Sequence, residues 1–386
     1  AMLNRSSSVF AVLRSFGVRQ PGGRQSEVRQ SEKSWERYSS LLPSLVPSVL
    51  FGLLVAWGGP ALAQTPSLEE QLRQPVSSSE LTQSRDVADQ LLRLGRQLAA
   101  GGQYESAIRA WEQAIELYYT IGDRIGMGSA YESMAQAYSV LGRYDAAETA
   151  VRRQLSIARD NANFQDQIYA WNTLGTLRLQ RGLLDSALLA YDEGLAVAQS
   201  VEDFEGMGLS LSNLGLVSSV QGDYESAIDY FEAAGNLRAR AGDSLGQANT
   251  NNSLGDTYRA NGEDGRALGA YRLALRLSRE LDNSLDTQLQ ALDGLIRVYI
   301  GRADWTQMRY YLDERISLQD DLDSDWQRLQ NLRYLGIYYS ATGALSEAQM
   351  AYRQALNLAR RLEQKSLEGE LANRLSAVTR ELESNS

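Results

Sequence analysis

From residue 84 to the C-terminus, apolar positions follow a helical beat that restarts with a period of 40. A large apolar residue followed by a small one recurs at Leu94-Gly95, Met134-Ala135, Leu174-Gly175, Leu214-Gly215, Leu254-Gly255 and Leu335-Gly336, with the order reversed at Gly294-Leu295. The steps are all 40, save a single step of 41 that ends at Leu335. After these pairs come a turn glycine (Gly102, Gly142, Gly182, Gly222, Gly262, Gly343), an alanine (Ala107, Ala147, Ala187, Ala227, Ala267, Ala348) and a large residue (Trp111, Val151, Tyr191, Phe231, Tyr271, Tyr352). This spacing predicts two antiparallel helices per unit. Glycine just past a helix end takes the left-handed conformation at little cost and stops the first helix. The small residues let the paired helices approach, and the large residue fills the gap toward the neighbouring unit. The second helix carries its apolar stripe at helical spacing, as in Tyr224, Ala227, Ile228, Phe231 and Ala234. No unit buries that stripe alone, so the units must stack.

The pattern Leu94-Gly95…Gly102-x-Tyr104…Ala107…Trp111 and Leu214-Gly215…Gly222-x-Tyr224…Ala227…Phe231 resembles the tetratricopeptide repeat (TPR). The resemblance covers residues from about 84 to 384 in seven copies. It departs from that family in its period, 40 instead of 34, and in lacking the proline that often closes a repeat. The longer unit, with short polar turns such as Gly122-Asp123, Glu202-Asp203 and Gly242-Asp243, is similar to the extended repeats of kinesin light chains and LGN/Pins-type adaptors. The resemblance implies an all-α, right-handed superhelical solenoid of about seven helix pairs over 84–365. Residues 366–386, an amphipathic and highly charged segment, supply the polar terminal unit that a solenoid needs.

In this family the first helix of each pair lines a groove that takes a peptide. Carrying its positions over, with the small residue as the landmark, implies Tyr169, Asn172, Thr176 and Leu179 in repeat three, and Leu209, Ser212, Leu216 and Ser219, with Asn213 nearby, in repeat four. Repeat five offers Asn249, Asn252, Asp256 and Arg259, and repeat six Leu289, Leu292, Ile296 and Tyr299. Amides beside apolar residues suit an extended peptide, because Asn serves both N–H and C=O of a passing backbone. The stretch Gly206 to Gln221 carries no charge in a chain that is 22% charged, as expected of an interface core or of a helix covered on both sides. The family's clamp for chaperone carboxyl termini needs a basic residue and an Asn where this chain has Leu92 and Arg96, so that role is disfavoured.

The chain has no Cys and no His, which removes thiol and imidazole nucleophiles, Ser-His-Asp triads, Cys/His zinc sites and disulfides. Asp321, Asp323 and Asp325 imitate the opening of a calcium loop, but Trp326 and Leu332 stand where its Gly and Glu belong, so a solvated turn is expected. Lys365-Ser366 reads as an exposed linker, not as a Ser-Lys pair. Repeat six is irregular: Gln307 takes the place of the packing alanine, and Trp305, Tyr310 and Tyr311 crowd its second helix, either as a packing repair or as a candidate outer-surface contact.

Residues 1–63 hold seven basic against three acidic side chains, so the rest of the chain is more acidic than the net charge of -10. An acidic body disfavours nucleic acid and anionic membrane surfaces as partners. The basic head, the apolar run Leu41 to Trp57 and the Ala61-Leu62-Ala63 site are the three parts of a secretory signal peptide, with cleavage expected after Ala63. Pro43 and Pro47 interrupt the run, which is shorter than the ~20 residues of a spanning helix; the alternative is an uncleaved anchor, the one route to membrane contact. Residues 64–83 read as a flexible leader. The sequence thus predicts an exported, non-catalytic scaffold for a protein or peptide partner, with no cofactor and no metal, in the periplasm or envelope of a bacterium, or the thylakoid lumen for a photosynthetic source. The alternative is an exported helical hydrolase using a carboxylate pair.

Overall fold

A computed structural model describes residues 78–282, 284–318 and 324–385. Residues 1–63, read from the sequence as a signal peptide with cleavage expected after Ala63, and the stretch up to residue 77, expected as leader, lie outside the described residues, as do Asp321 and Asp323. The chain is an all-α solenoid of paired helices, with fifteen helices and no strand among the described residues. These residues fall into two compact units divided between Arg143 and Tyr144. The first contains α1 (Ser78–Ala100), α2 (Tyr104–Ile121) and α3 (Arg124–Val140). The second contains α4 (Tyr144–Asp160), α5 (Phe164–Gln180), α6 (Leu184–Ser200), α7 (Phe204–Gln221), α8 (Tyr224–Ala241), α9 (Ser244–Ala260), α10 (Asp264–Arg279), α11 (Leu285–Gly301), α12 (Trp305–Ser317), α13 (Asp325–Ala341), α14 (Leu345–Arg361) and α15 (Lys365–Ser384). Helix α1 begins at Ser78, inside the stretch expected as leader; no proline after Pro75 interrupts it. No helix among the described residues is long and apolar enough to cross a membrane.

The helix ends are written in the sequence. Gly102, Gly142, Gly182, Gly222, Gly262 and Gly343 all have φ between 71° and 84°, the left-handed geometry that ends each first helix. At the start of successive first helices, Asp123, Asn163, Asp203 and Asp243 each accept a hydrogen bond from the backbone N–H three residues on, at 2.8–3.1 Å. Between the paired helices, small residues let an aromatic ring pass. A Cβ added to Gly175 or Gly255 would lie 2.4 and 2.6 Å from the rings of Tyr191 and Tyr271, and one on Gly95 would meet Trp111 at 2.2 Å. Trp111, Tyr191, Phe231, Tyr271 and Tyr352 are accordingly buried to 2% exposure or less.

The turn after α10 carries one extra residue, and it moves the register of repeat six. The left-handed turn residue that follows Gly262 is Ala303, one position beyond the regular beat, and the next is Gly343, back on it. The long step therefore precedes repeat six and does not follow it. Its landmark pair is Leu295-Ile296, its packing position is Met308 and its large residue is Leu312, each fully buried. Gly294, which imitates the landmark glycine, faces Tyr271 of the preceding unit, its Cβ position 2.3 Å from that ring.

Helix α15 closes the second unit, burying Leu371 and Val378 against the cluster around Tyr352 and Leu356. Glu370 ties it to α13 through Arg333 at 3.2 Å. Burial opposes ionisation of Glu370, but Arg333 and Arg374 outweigh it and hold its carboxyl below the ordinary range. A depressed pKa in the folded state contributes stability that is complete above the unfolded value of 4.5 and is lost as pH falls through the folded one. Protection factors over 365–384, taken against the intrinsic exchange rate at each pH, are expected to fall as pH drops below that value, and Glu370→Gln to lower them already at neutral pH. Equal protection of the two proteins at neutral pH would show that the ion pair does not hold the helix.

Candidate functional site

In the second unit, each of α7, α9 and α11 touches the first helix before it as well as its own partner, whereas consecutive second helices meet far less. The first helices therefore line the inner side of the stack, the face on which a partner segment would lie. The structure brings part of the expected groove together there. Tyr169 and Asn249 are exposed and lie one repeat either side of half-exposed Leu209, at one register position. Thr176, Ser212, Asn213, Asp256 and Arg259 are half-exposed.

Asn172 and Asn252 are not surface groups, which corrects the expectation that they meet a peptide. Asn172 is 4% exposed; its Nδ2 donates to the Ile168 carbonyl and to Ser210 Oγ, both at 2.9 Å, and its Oδ1 accepts from Asn213 Nδ2 at 2.8 Å. Asn252 is fully buried and donates to the Thr287 carbonyl at 3.0 Å. The hydroxyls of Ser212 and Thr250 meet at 2.9 Å, and the Thr287 hydroxyl donates to Asn249 Oδ1 at 2.8 Å. These bonds join one first helix to the next, so the amides and hydroxyls of repeats three to six form a lateral polar ladder. Its sequence signal is a second polar side chain at a spacing just short of the repeat, as in Asn172 with Ser210 and Ser212 with Thr250.

The position just after the small landmark residue follows a different rule. The Tyr191 hydroxyl is 3.1 Å from Thr176 Oγ1, and the Tyr271 hydroxyl donates to Asp256 at 2.7 Å. Where the ring is Phe231 and has no hydroxyl, the position is Leu216, which is buried. A buried phenol needs a partner and a phenyl does not, so the alternation reflects the rings behind it and not a ligand in front. Burial first and then the Asp256 charge raise the Tyr271 pKa.

In repeat six the extra residue displaces the expected set. Leu289, Leu292, Ile296 and Tyr299 are buried in the core, and the inner face carries Gln290, Asp293 and Arg297 instead. The spacing of Ala303-Asp304 from Gly262-Glu263 was the signal that could have found them. Arg297 lies 3.5 Å from Asp256, which Arg259 also approaches at 3.8 Å. The two guanidinium side chains keep 40% and 38% of their surface exposed. Burial pulls the Arg297 pKa down, but Asp256, Tyr334, Asp293 and Tyr271 outweigh it and raise it, so the charge is permanent. Two arginines share one carboxylate here. Beside them, Asn252 Oδ1, Arg259 Nε and Gln290 Nε2 are buried without a hydrogen-bond partner among the described residues.

The second helix of repeat six divides the aromatic trio. Tyr311 is 8% exposed and stacks on Tyr299 at 5.7 Å, so it is a packing residue and not an outer contact. Trp305 is half-buried, and Tyr310 alone is exposed, edge-on to Tyr311. Helix α7, the uncharged segment, buries Gly206, Gly208, Ser210 and Leu214 through Ser218, which is the pattern of a helix covered on both sides. Asp325 starts α13 and pairs with Arg361 at 2.6 Å, and among the described residues no group of three or more acidic side chains is placed to hold a metal ion. Asp256 and Asp293 are each engaged with arginine.

Comparison with known proteins agrees with the geometry. Family models of the tetratricopeptide repeat match residues 206–280 and 128–161. The first match stops at the turn where the extra residue sits. The chain is 29% identical over 142 residues to the Tonsoku-like protein of Bos taurus, a stretch covering 34% of this chain and 10% of that protein. It thus spans about a tenth of the length of the curated relatives it matches. Among solved structures it is similar to a signal-transduction ATPase with numerous domains and a tetratricopeptide repeat sensor from Pyrococcus horikoshii, at TM-score 0.58, 16% identity and coverage of 76% of this chain and 45% of that one. The apo form of RapI follows at TM-score 0.51 and 14% identity, covering 72% and 99%. The chain carries tetratricopeptide repeats, and its architecture is that of a protein–protein interaction scaffold.

Proposed function

We propose that this array of tetratricopeptide repeats is a non-catalytic scaffold that holds an extended segment of a protein partner along the inner face of α5, α7, α9 and α11. The observation that carries the reading is the composition of that face once the ladder residues are set aside. Tyr169 and Leu209 offer apolar surface at one end, and Arg259 and Arg297, sharing Asp256, offer positive charge at the other. The segment that fits is apolar at one end and acidic at the other, its backbone passing Gln290. The scaffold works after export, a reading supported by the basic head, the apolar run and the Ala61-Leu62-Ala63 site. Its compartment is a bacterial periplasm or envelope, or a thylakoid lumen.

A photo-crosslinking residue at position 209, on the inner face, is expected to capture a partner from the native envelope fraction. The same residue at position 229, exposed on the second helix α8, is not. Leu209→Glu should weaken the captured complex roughly tenfold or more, since an unpaired carboxylate buried at an interface costs about 1–3 kcal/mol. Capture through 229 alone would move recognition to the second helices and remove the inner-face reading. An intact mass that retains Leu41 to Trp57 would remove the cleaved signal.

A further inference from the structure

On a different surface, between α4 and α5, lies a cleft of about 400 Å³. Leu155 and Leu174, both buried, form its apolar floor, and Arg152, Arg159 and Arg178 stand around it, with Asp160 the one acidic side chain in the lining. Arg159 lies over the ring of Trp171, 5.2 Å from its centroid. Among the described residues neither Arg159 nor Arg178 has a carboxylate partner; Arg178 donates to the Ser186 carbonyl at 2.9 Å, and Arg152 has a 3.4 Å ion pair to Glu148. The indole Nε1 of Trp171, also in the lining, is buried with no acceptor among the described residues. Buried donors ordinarily have a partner, and this one belongs to a ring that lines the cleft, where a ligand would supply one.

We propose that this cleft binds a small organic anion: a negatively charged head held by Arg159, Arg178 and the Trp171 N–H, on an apolar body seated over Leu155 and Leu174. The volume falls in the range of small-molecule sites, and an apolar floor with a few convergent polar groups is their usual lining. Three positive groups against one negative select for charge in a body that is acidic overall, so the attraction is local. Arginine and an indole N–H donate only, which excludes a cation or a purely donating ligand.

Anilinonaphthalene sulfonate is a suitable probe, because its uncharged analogue phenylnaphthylamine separates the contribution of the head from that of the body. Titrated into the folded protein, the sulfonate is expected to saturate one site and shift the Trp171 indole N–H resonance, identified by its loss in Trp171→Phe. Arg159→Gln, at an exposed position, should weaken binding roughly tenfold through loss of a charge-assisted hydrogen bond. Ser156→Glu, also exposed, should do the same by repulsion, with both variants melting as the wild type. Phenylnaphthylamine binding equally well, or a sulfonate that leaves Trp171 unmoved, would overturn the proposal. Inorganic phosphate binding as tightly as the sulfonate would overturn the organic body. Both variants stand apart from the inner face, so failure here leaves the scaffold reading intact.

Discussion

Tyr271→Ala is expected to destabilise the protein by about 3–5 kcal/mol, the usual cost of removing a buried aromatic ring. The ring is fully buried, and the Cβ positions of Gly255 and Gly294 lie 2.6 and 2.3 Å from it on the flanking first helices. Two glycines have no side chains with which to fill the space left behind. Asp256 would lose its phenolic donor as well. Tyr271→Phe keeps the ring and removes only that bond, so its cost should be about 0.5–1.5 kcal/mol. Urea unfolding of the two variants separates the terms. A loss below about 1 kcal/mol for alanine would show that α9 and α11 close over the gap, and that the ring is not what sets their spacing.

The second large effect belongs to Arg315, which is 1% exposed. It donates to Asp293 at 2.6 Å, to Gln327 Oε1 at 2.7 Å and to Asn331, joining α12 to both α11 and α13. Arg315→Met is expected to cost about 3–5 kcal/mol, from leaving Asp293 without its direct ion pair and Gln327 and Asn331 without their donor. The double variant with Asp293→Leu should then recover part of the loss, because the pair is removed together. A double-mutant cycle measures this directly; strictly additive losses would mean that the two groups act on stability independently.

The fold was legible because its markers are local. Turn glycines, capping Asp123, Asn163, Asp203 and Asp243, and the paired small and aromatic residues each depend on neighbours within one unit. The inner face was legible only in part, since its polar groups answer to side chains a whole repeat away. Asn172 looks like a peptide-gripping amide until Ser210 and Asn213 are found beside it, and Asp256 until Tyr271 and Arg297 are. Repeat six misled for a simpler reason. Gly294 sits one position short of the expected beat and is genuinely a close-packing glycine, but it makes room for the ring of the previous unit. The displaced turn at Ala303 was the better ruler, because the left-handed residue has no neighbour to imitate it.

The lateral ladder has a consequence for how this array could be edited or could have grown. Its repeats look interchangeable along the stacking direction, since most bring their own small residue, and a large one to pack against it. They are not interchangeable in order. Removing residues 204–243 would set Thr250 and Ser253 where Asn172 now meets Ser210 and Asn213, and a serine hydroxyl does not reach as an asparagine amide does. Each unit therefore carries a key for its own neighbour, and the chain encodes a sequence of repeats as well as a number of them.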